Sequence, residues 1–310
     1  MKVHGLNKTV LSGSRFVLEV TTQGAVVTAL YVDGRNIVRD VPEDIQLGEK
    51  GGFFCCPQIF GRLPNRTLAF NGDKYELKYP AAIVDSNPDV DRLFLHGFEH
   101  WLKWEIDINE KSLEFSLSHE MFDQNFPFPH TSFIRYELLG EGVSEELQMT
   151  VGIRDVVVDT PAMLTFHPFF RWIVDGKSPS LRANLRSRFE NPAGIHIPEE
   201  EPCPLRVGDA YKEFTNLPGD LDHSFISDDG IYEIRWGDFG IVIQDMTPIN
   251  ICPVKPVILW TSAANERDCF GVEPGGPANL FNLVEKRKVP KSWLPVCKPG
   301  REIFRQIRIE

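Results

Sequence analysis

The sequence predicts an all-β protein of many antiparallel strands, and three observations carry that prediction. Apolar and polar residues alternate over short stretches along the chain, the period of a strand with one buried face. Turn pairs containing glycine separate those stretches. No long run has a convincing helical period.

Taken in order, the first strand signal is Phe16, Leu18 and Val20, alternating with Val17 and Glu19. Asp33-Gly34 and Asn71-Gly72 then mark tight turns. Leu113, Phe115 and Leu117 form the next apolar face, followed by Ile134, Tyr136 and Leu138, and by Leu147, Met149, Val151 and Ile153. The stretch Asn191–Leu205 holds four prolines and the acidic run Glu199-Glu200-Glu201. It reads as a long loop inside one large sandwich rather than an interdomain linker, because candidate site residues fall on both sides of it. One domain over residues 1–310 is therefore expected. Asp229-Gly230 is read as a turn, Tyr232, Ile234 and Trp236 as a strand, and Gly237-Asp238-Phe239-Gly240 as a further turn. Ile307 and Ile309 close the chain as a last strand.

Composition narrows the function. The 310 residues are 42% hydrophobic and 25% charged, ordinary for a soluble globular protein, and long enough to bury a large core without disulfides or metals. A net charge of −11 argues against nucleic-acid and anionic-membrane partners. The start of the chain lacks an apolar signal core and no apolar segment is long enough to span a bilayer, so the expected location is the cytoplasm. The six cysteines have no C-x-x-C pair or zinc spacing and read as reduced, buried small hydrophobes, with Cys55 and Cys56 pointing to opposite sides of a strand.

Five constellations could carry chemistry. In Met163–Trp172, His167 lies among Phe166, Phe169, Phe170 and Trp172 and precedes Pro168, which biases it towards extended backbone. A histidine in such surroundings is commonly a packed core residue, whereas the aromatic faces would also suit the C–H face of a sugar. Gly61-Arg62-Leu63-Pro64-Asn65-Arg66 offers guanidinium and amide donors on a stiff loop, suited to a polyhydroxylated or anionic ligand; solvated surface arginines are the plain alternative. His96 and His100 have an i, i+4 spacing, but Gly97 and the aromatics around them do not read as a helix, so no metal site is expected. Asp222-His223 pairs a carboxylate with a histidine, or caps a turn. Finally, Glu273 closes an apolar strand before Pro274-Gly275-Gly276-Pro277, and burial there would raise its pKa into the range of a general base.

In their order and spacing these pieces resemble the aldose 1-epimerases, the galactose mutarotases and their relatives. The matching residues run from Gly61-Arg62-x-x-Asn65-Arg66 and Asn71-Gly72 through Leu95-His96-Gly97, Phe126-Pro127-Phe128 and Thr165–Phe170. They continue with Leu221–Phe225, Leu259-Trp260-Thr261, Val272-Glu273-Pro274 and Lys298-Pro299-Gly300. The resemblance implies a large antiparallel β-supersandwich with a sugar groove on one sheet. It implies Glu273 as general base, His167 as general acid assisted by His96, and His96, Asn65, Arg66 and Asp222 as sugar contacts. Arg62 is left structural or free for an acidic substituent.

Interconverting α and β anomers needs one base at the anomeric hydroxyl and one acid at the ring oxygen, without metal or organic cofactor. The expected partner is thus a small-molecule sugar, and the expected assembly a monomer or homodimer. Gly97 is followed by Phe98-Glu99-His100, closer to the His-Gly-Phe form of hexose-6-phosphate mutarotase relatives, for which Arg62, Arg66 and Arg171 would supply phosphate contacts. The glutamine usual in galactose mutarotases near Leu259–Thr261 is not evident. A catalytically idle sugar binder and a zinc hydrolase through His96 and His100 are the readings from other classes.

Overall fold

A computed structural model of the chain describes residues 7–41, 51–78, 95–122, 125–191, 197–206 and 213–310. Among them the strands form two main sheets, and the paired strands run antiparallel. The smaller sheet orders Lys8–Ser12, Phe16–Thr21, Val27–Val32, Phe53–Cys56 and Thr165–Pro168, with Arg35–Asn36 beside Val27–Val32. The larger runs from Phe170–Arg171 through Cys269–Pro274, Lys255–Thr261 and Asp222–Trp236 to Ile303–Ile309, Glu146–Arg154 and Thr131–Leu139. This is the large antiparallel β-supersandwich that the sequence and its resemblance lead one to expect.

The alternating residues do what their period dictates. In Thr131–Leu139 and Glu146–Arg154 the buried set includes Ile134, Tyr136, Leu147, Met149 and Val151, and the phenol of Tyr136 donates to the Ala25 carbonyl at 3.0 Å across to the smaller sheet. Asp33-Gly34, Asn71-Gly72 and Gly237-Asp238 each close a two-residue hairpin. Asp229-Gly230 does not end a strand. It lies inside the continuous strand Asp222–Trp236, where the Ser227 hydroxyl accepts the Gly230 N–H at 3.0 Å and the register against Ser180–Arg188 shifts. A bulge absorbs the left-handed φ of Gly230 without turning the chain round.

Two departures bear on the site. Met163–Trp172 changes sheet: Thr165–Pro168 pairs with Phe53–Cys56, and two residues later Phe170–Arg171 pairs with Cys269–Pro274. A short helix, Leu280–Glu285, follows the Pro274–Pro277 turn where no helix was expected. No helix among the described residues is long and apolar enough to cross a membrane.

Candidate active site

Because the chain changes sheet at Phe169, His167 on the smaller sheet meets Glu273 on the larger one. Its Nδ1 lies 3.5 Å from Glu273 Oε1, and the two residues are only 5% and 2% exposed. Neither atom has a hydrogen-bond partner among the described residues. Two glycines make the approach possible. A Cβ on Gly271 would come within 2.5 Å of Glu273 Oε1, so the carboxyl lies over a bare backbone. A Cβ on Gly275 would meet the Thr165 side chain at 2.2 Å, so the turn after Glu273 seats directly on the strand of His167. Its neighbour Gly276 donates its N–H to the Thr165 hydroxyl at 3.3 Å.

The His167 ring stacks on Phe54 at 4.5 Å and leans on Phe169 at 4.6 Å between centroids. Pairing of His167 with Phe54 across the strands sets this stack. The ring of His96 stands edge-on to His167 at 4.7 Å. His96 has a left-handed backbone, with φ of 57°, tied by two bonds to Gly61: its N–H donates to the Gly61 carbonyl at 2.9 Å, and its Nδ1 accepts the Gly61 N–H at 3.2 Å. That second bond leaves the ring hydrogen of neutral His96 on Nε2.

These side chains line a cavity of about 240 Å³, with Arg62, Asp222 and Trp260 on its walls. Arg62 Nη1 bonds Asp222 at 3.3 Å, and Asp222 begins a strand rather than capping a turn. Trp260 pairs with Asp222 across the strands and stands perpendicular to Phe169 at 5.5 Å. Burial dominates the electrostatics. It pushes Glu273 well above the usual carboxylate range, aided by Asp222 and opposed by Arg62. It pushes His167 down to about 3, with a further contribution from His100, and lowers His96 as well.

The structure therefore brings together His167, Glu273, His96, Arg62 and Asp222. Asn65 and Arg66 stand outside this lining. Pro64–Arg66 is a tight 3-10 turn in which Asn65 and Arg66 have φ of 53° and 52°, not the extended segment that would put Arg62 and Arg66 on one face. Arg66 bonds Glu76 at 3.4 Å instead. Arg171 lies elsewhere too, bonded to Asp40 at 2.5 Å beside Arg39 and Arg267. His100 is buried against Phe54, and among the described residues no cluster could hold a metal ion. Cys55 and Cys56 are both buried, and desolvation pushes both thiols up, which makes them poor nucleophiles; Cys203 is exposed, against expectation. Sequence reasoning missed Asn191, whose amide donates to the Asp222 carbonyl at 2.9 Å, and saw Trp260 only as part of a motif. A larger cavity of about 730 Å³, near helix Leu280–Glu285, mixes Arg287 and Lys291 with Glu201 and Glu285 and holds none of these residues.

The family described as aldose 1-epimerase matches the chain over residues 8–240. Among solved structures, a protein of Synechocystis sp. PCC 6803 superposes with a TM-score of 0.71 at 19% identity, over 100% of this chain and 97% of that one. The galactose 1-epimerase of Lactobacillus acidophilus NCFM gives 0.70 at 16%, covering 98% and 94%. An aldose epimerase homologue from C. elegans gives 0.69 at 15%, covering 98% of each. No curated protein matches the sequence.

Proposed function

The chain belongs to the aldose 1-epimerase family, and from that premise we propose that it is a mutarotase interconverting the α and β anomers of an unphosphorylated hexose. The observation that carries this reading is the buried pair of Glu273 and His167, 3.5 Å apart on a cavity sized for a monosaccharide. Glu273 removes the proton of the anomeric hydroxyl while His167 protonates the ring oxygen. The C1–O5 bond breaks, C1–C2 rotates, and the aldehyde is attacked from its other face as both protons return.

The pair holds one transferable proton. Burial favours the uncharged arrangement, with the proton on Glu273 and His167 neutral. Ring opening starts from the charged arrangement and ends in the uncharged one, so the environment favours the state that accompanies the open-chain sugar. Arg62 favours the Glu273 carboxylate but opposes the His167 imidazolium, so the sugar's hydroxyl donors and its ring oxygen supply what the charged arrangement needs before ring opening. Trp260 offers a face to the sugar's C–H surface, and Arg62, Asp222 and the Nε2–H of His96 take its hydroxyls.

Charge favours a neutral sugar over its 6-phosphate. Among the described residues Arg62 is the one cation in the lining and is already paired with Asp222, while Asp222 and Glu273 are both acids. Arg66 and Arg171 point elsewhere. A phosphate dianion would meet no basic cluster there. Free buried thiols support work in the reducing cytoplasm. The test is anomer exchange by NMR across aldoses and their 6-phosphates. Exchange of free hexoses is expected; a tenfold or greater preference for a phosphate ester, weakening with salt, would promote the 6-phosphate reading, and no exchange with any sugar would sink catalysis.

A further inference from the structure

Behind the cavity lies a buried acid that the proposed chemistry does not use. Glu99 is 3% exposed, on the single turn Glu99–Trp101 three residues after His96. The Ser132 hydroxyl donates to its Oε1, and the Gln58 N–H donates to its Oε2 at 3.3 Å. The Gln58 side-chain amide donates to His130 Nε2 at 2.6 Å, and His130 Nδ1 donates to the Phe128 carbonyl at 2.7 Å. His130 Nε2 also lies 3.2 Å from the Ser132 hydroxyl, so Glu99, Ser132, His130 and Gln58 form a closed circuit.

That circuit sits where the site-bearing segments meet. The Gln58 carbonyl accepts the Met163 N–H, and the Pro57 carbonyl accepts the Leu164 N–H, each at 3.1 Å, just before His167. Three residues beyond Gln58, Gly61 makes its two bonds with His96, and Arg62 follows. Ser132 belongs to Thr131–Leu139 in the larger sheet, which moves little relative to loops.

We propose that Glu99 is a positioning residue of this site: its carboxyl, held at once by Ser132 and Gln58, fixes the segments carrying Arg62 and His96 against each other and so sets the direction of the His96 ring. The proposal rests on the reading of His96 as a sugar contact. Burial pushes Glu99 up to about 8 against the pull of its two hydrogen bonds. The groups around it are the thiols of Cys55 and Cys56 on the neighbouring strand, Tyr136 beyond Cys55, His130 before Ser132, and His100 on its own turn. Below that pH Glu99 donates to Ser132, which then donates to His130. Above it the carboxylate accepts from Ser132, as in the structure, and Ser132 no longer donates to His130, whose Nε2 carries no hydrogen and still accepts from the Gln58 amide.

Two arms test this. In the wild-type protein the ¹⁵N signals of the His96 ring are expected to shift with one inflection near pH 8, and to stay flat there in Glu99→Gln, which mimics the protonated acid. In the second arm, Ser132→Ala, which keeps the acid but removes one anchor, should raise KM for the sugar about tenfold, the scale of one hydrogen bond, with kcat little changed. A wild-type ring insensitive to pH around 8, the same inflection in Glu99→Gln, or an unchanged KM in Ser132→Ala would overturn the proposal. The NMR arm needs no turnover, so it still decides the matter if mutarotation is not found.

Discussion

At the scale of single residues, the site depends on two side chains made to face each other with little to spare. Glu273→Gln keeps the shape and removes the basic carboxylate, so kcat should fall about 10²-fold or more. Near-native turnover would remove Glu273 from the reaction. His167→Asn should lower kcat far more than it changes KM, because proton donation counts in the transition state. An insoluble or unfolded His167→Asn variant would instead make His167 a core residue. Gly271 provides a subtler test. A methyl there would lie 2.5 Å from Glu273 Oε1, at the movable end of a side chain, so the carboxyl swings away before the strand gives. Gly271→Ala should therefore fold and lose about tenfold or more in kcat, since a misplaced base costs heavily. Wild-type kcat in that variant would mean that the position of Glu273 does not matter.

At the scale of elements, the strands were legible because a two-residue period is a local property that burial of one face enforces. His167 and Glu273 were legible for a related reason, since each precedes a proline on extended backbone. What decides their meeting is not local. The change of sheet at Phe169 leaves no period or turn signal, and the Glu99 circuit joins Gln58, Glu99, His130 and Ser132 from segments distant in sequence. The Arg62–Arg66 loop failed as an extended segment because Asn65 and Arg66 adopt left-handed backbone, a choice that asparagine tolerates but the sequence does not announce. The consequence can be measured. Arg62→Ala should raise KM for the sugar about tenfold by removing a charge-assisted donor from the cavity. Arg66→Ala should change it about twofold at most, because its bond to Glu76 is an exposed pair. The reverse ranking would place the sugar across the Pro64–Arg66 turn.

At the scale of the whole molecule, the buried titratable groups set how stability follows pH. His100 and His167 are held down to about 3 and His130 to about 4, and His96 is lowered in the same sense, all chiefly by burial. Their ordinary value is 6.5, so below it the unfolded chain takes up protons that the native protein refuses. Stability therefore falls as pH drops from about 6.5. Glu99, at about 8, and Glu273, also raised by burial, act in the opposite direction. Their stabilising contribution is full below the ordinary carboxyl value of 4.5 and is lost as pH rises towards their native values, because the unfolded chain sheds protons that the native protein keeps. Four histidines half-protonated in the unfolded chain balance two acids near pH 6.5, so Tm should peak at about that pH and decline towards 8. Removing one acid shifts the balance: in Glu99→Gln the peak should move up by about half a pH unit and the decline above it should be shallower. Thermal unfolding followed from pH 4 to 9 checks both statements. A wild-type Tm still climbing between pH 7 and 8.5 would mean that the native protein retains neither proton, so that Glu273 and His167 would have none to share before any sugar arrives.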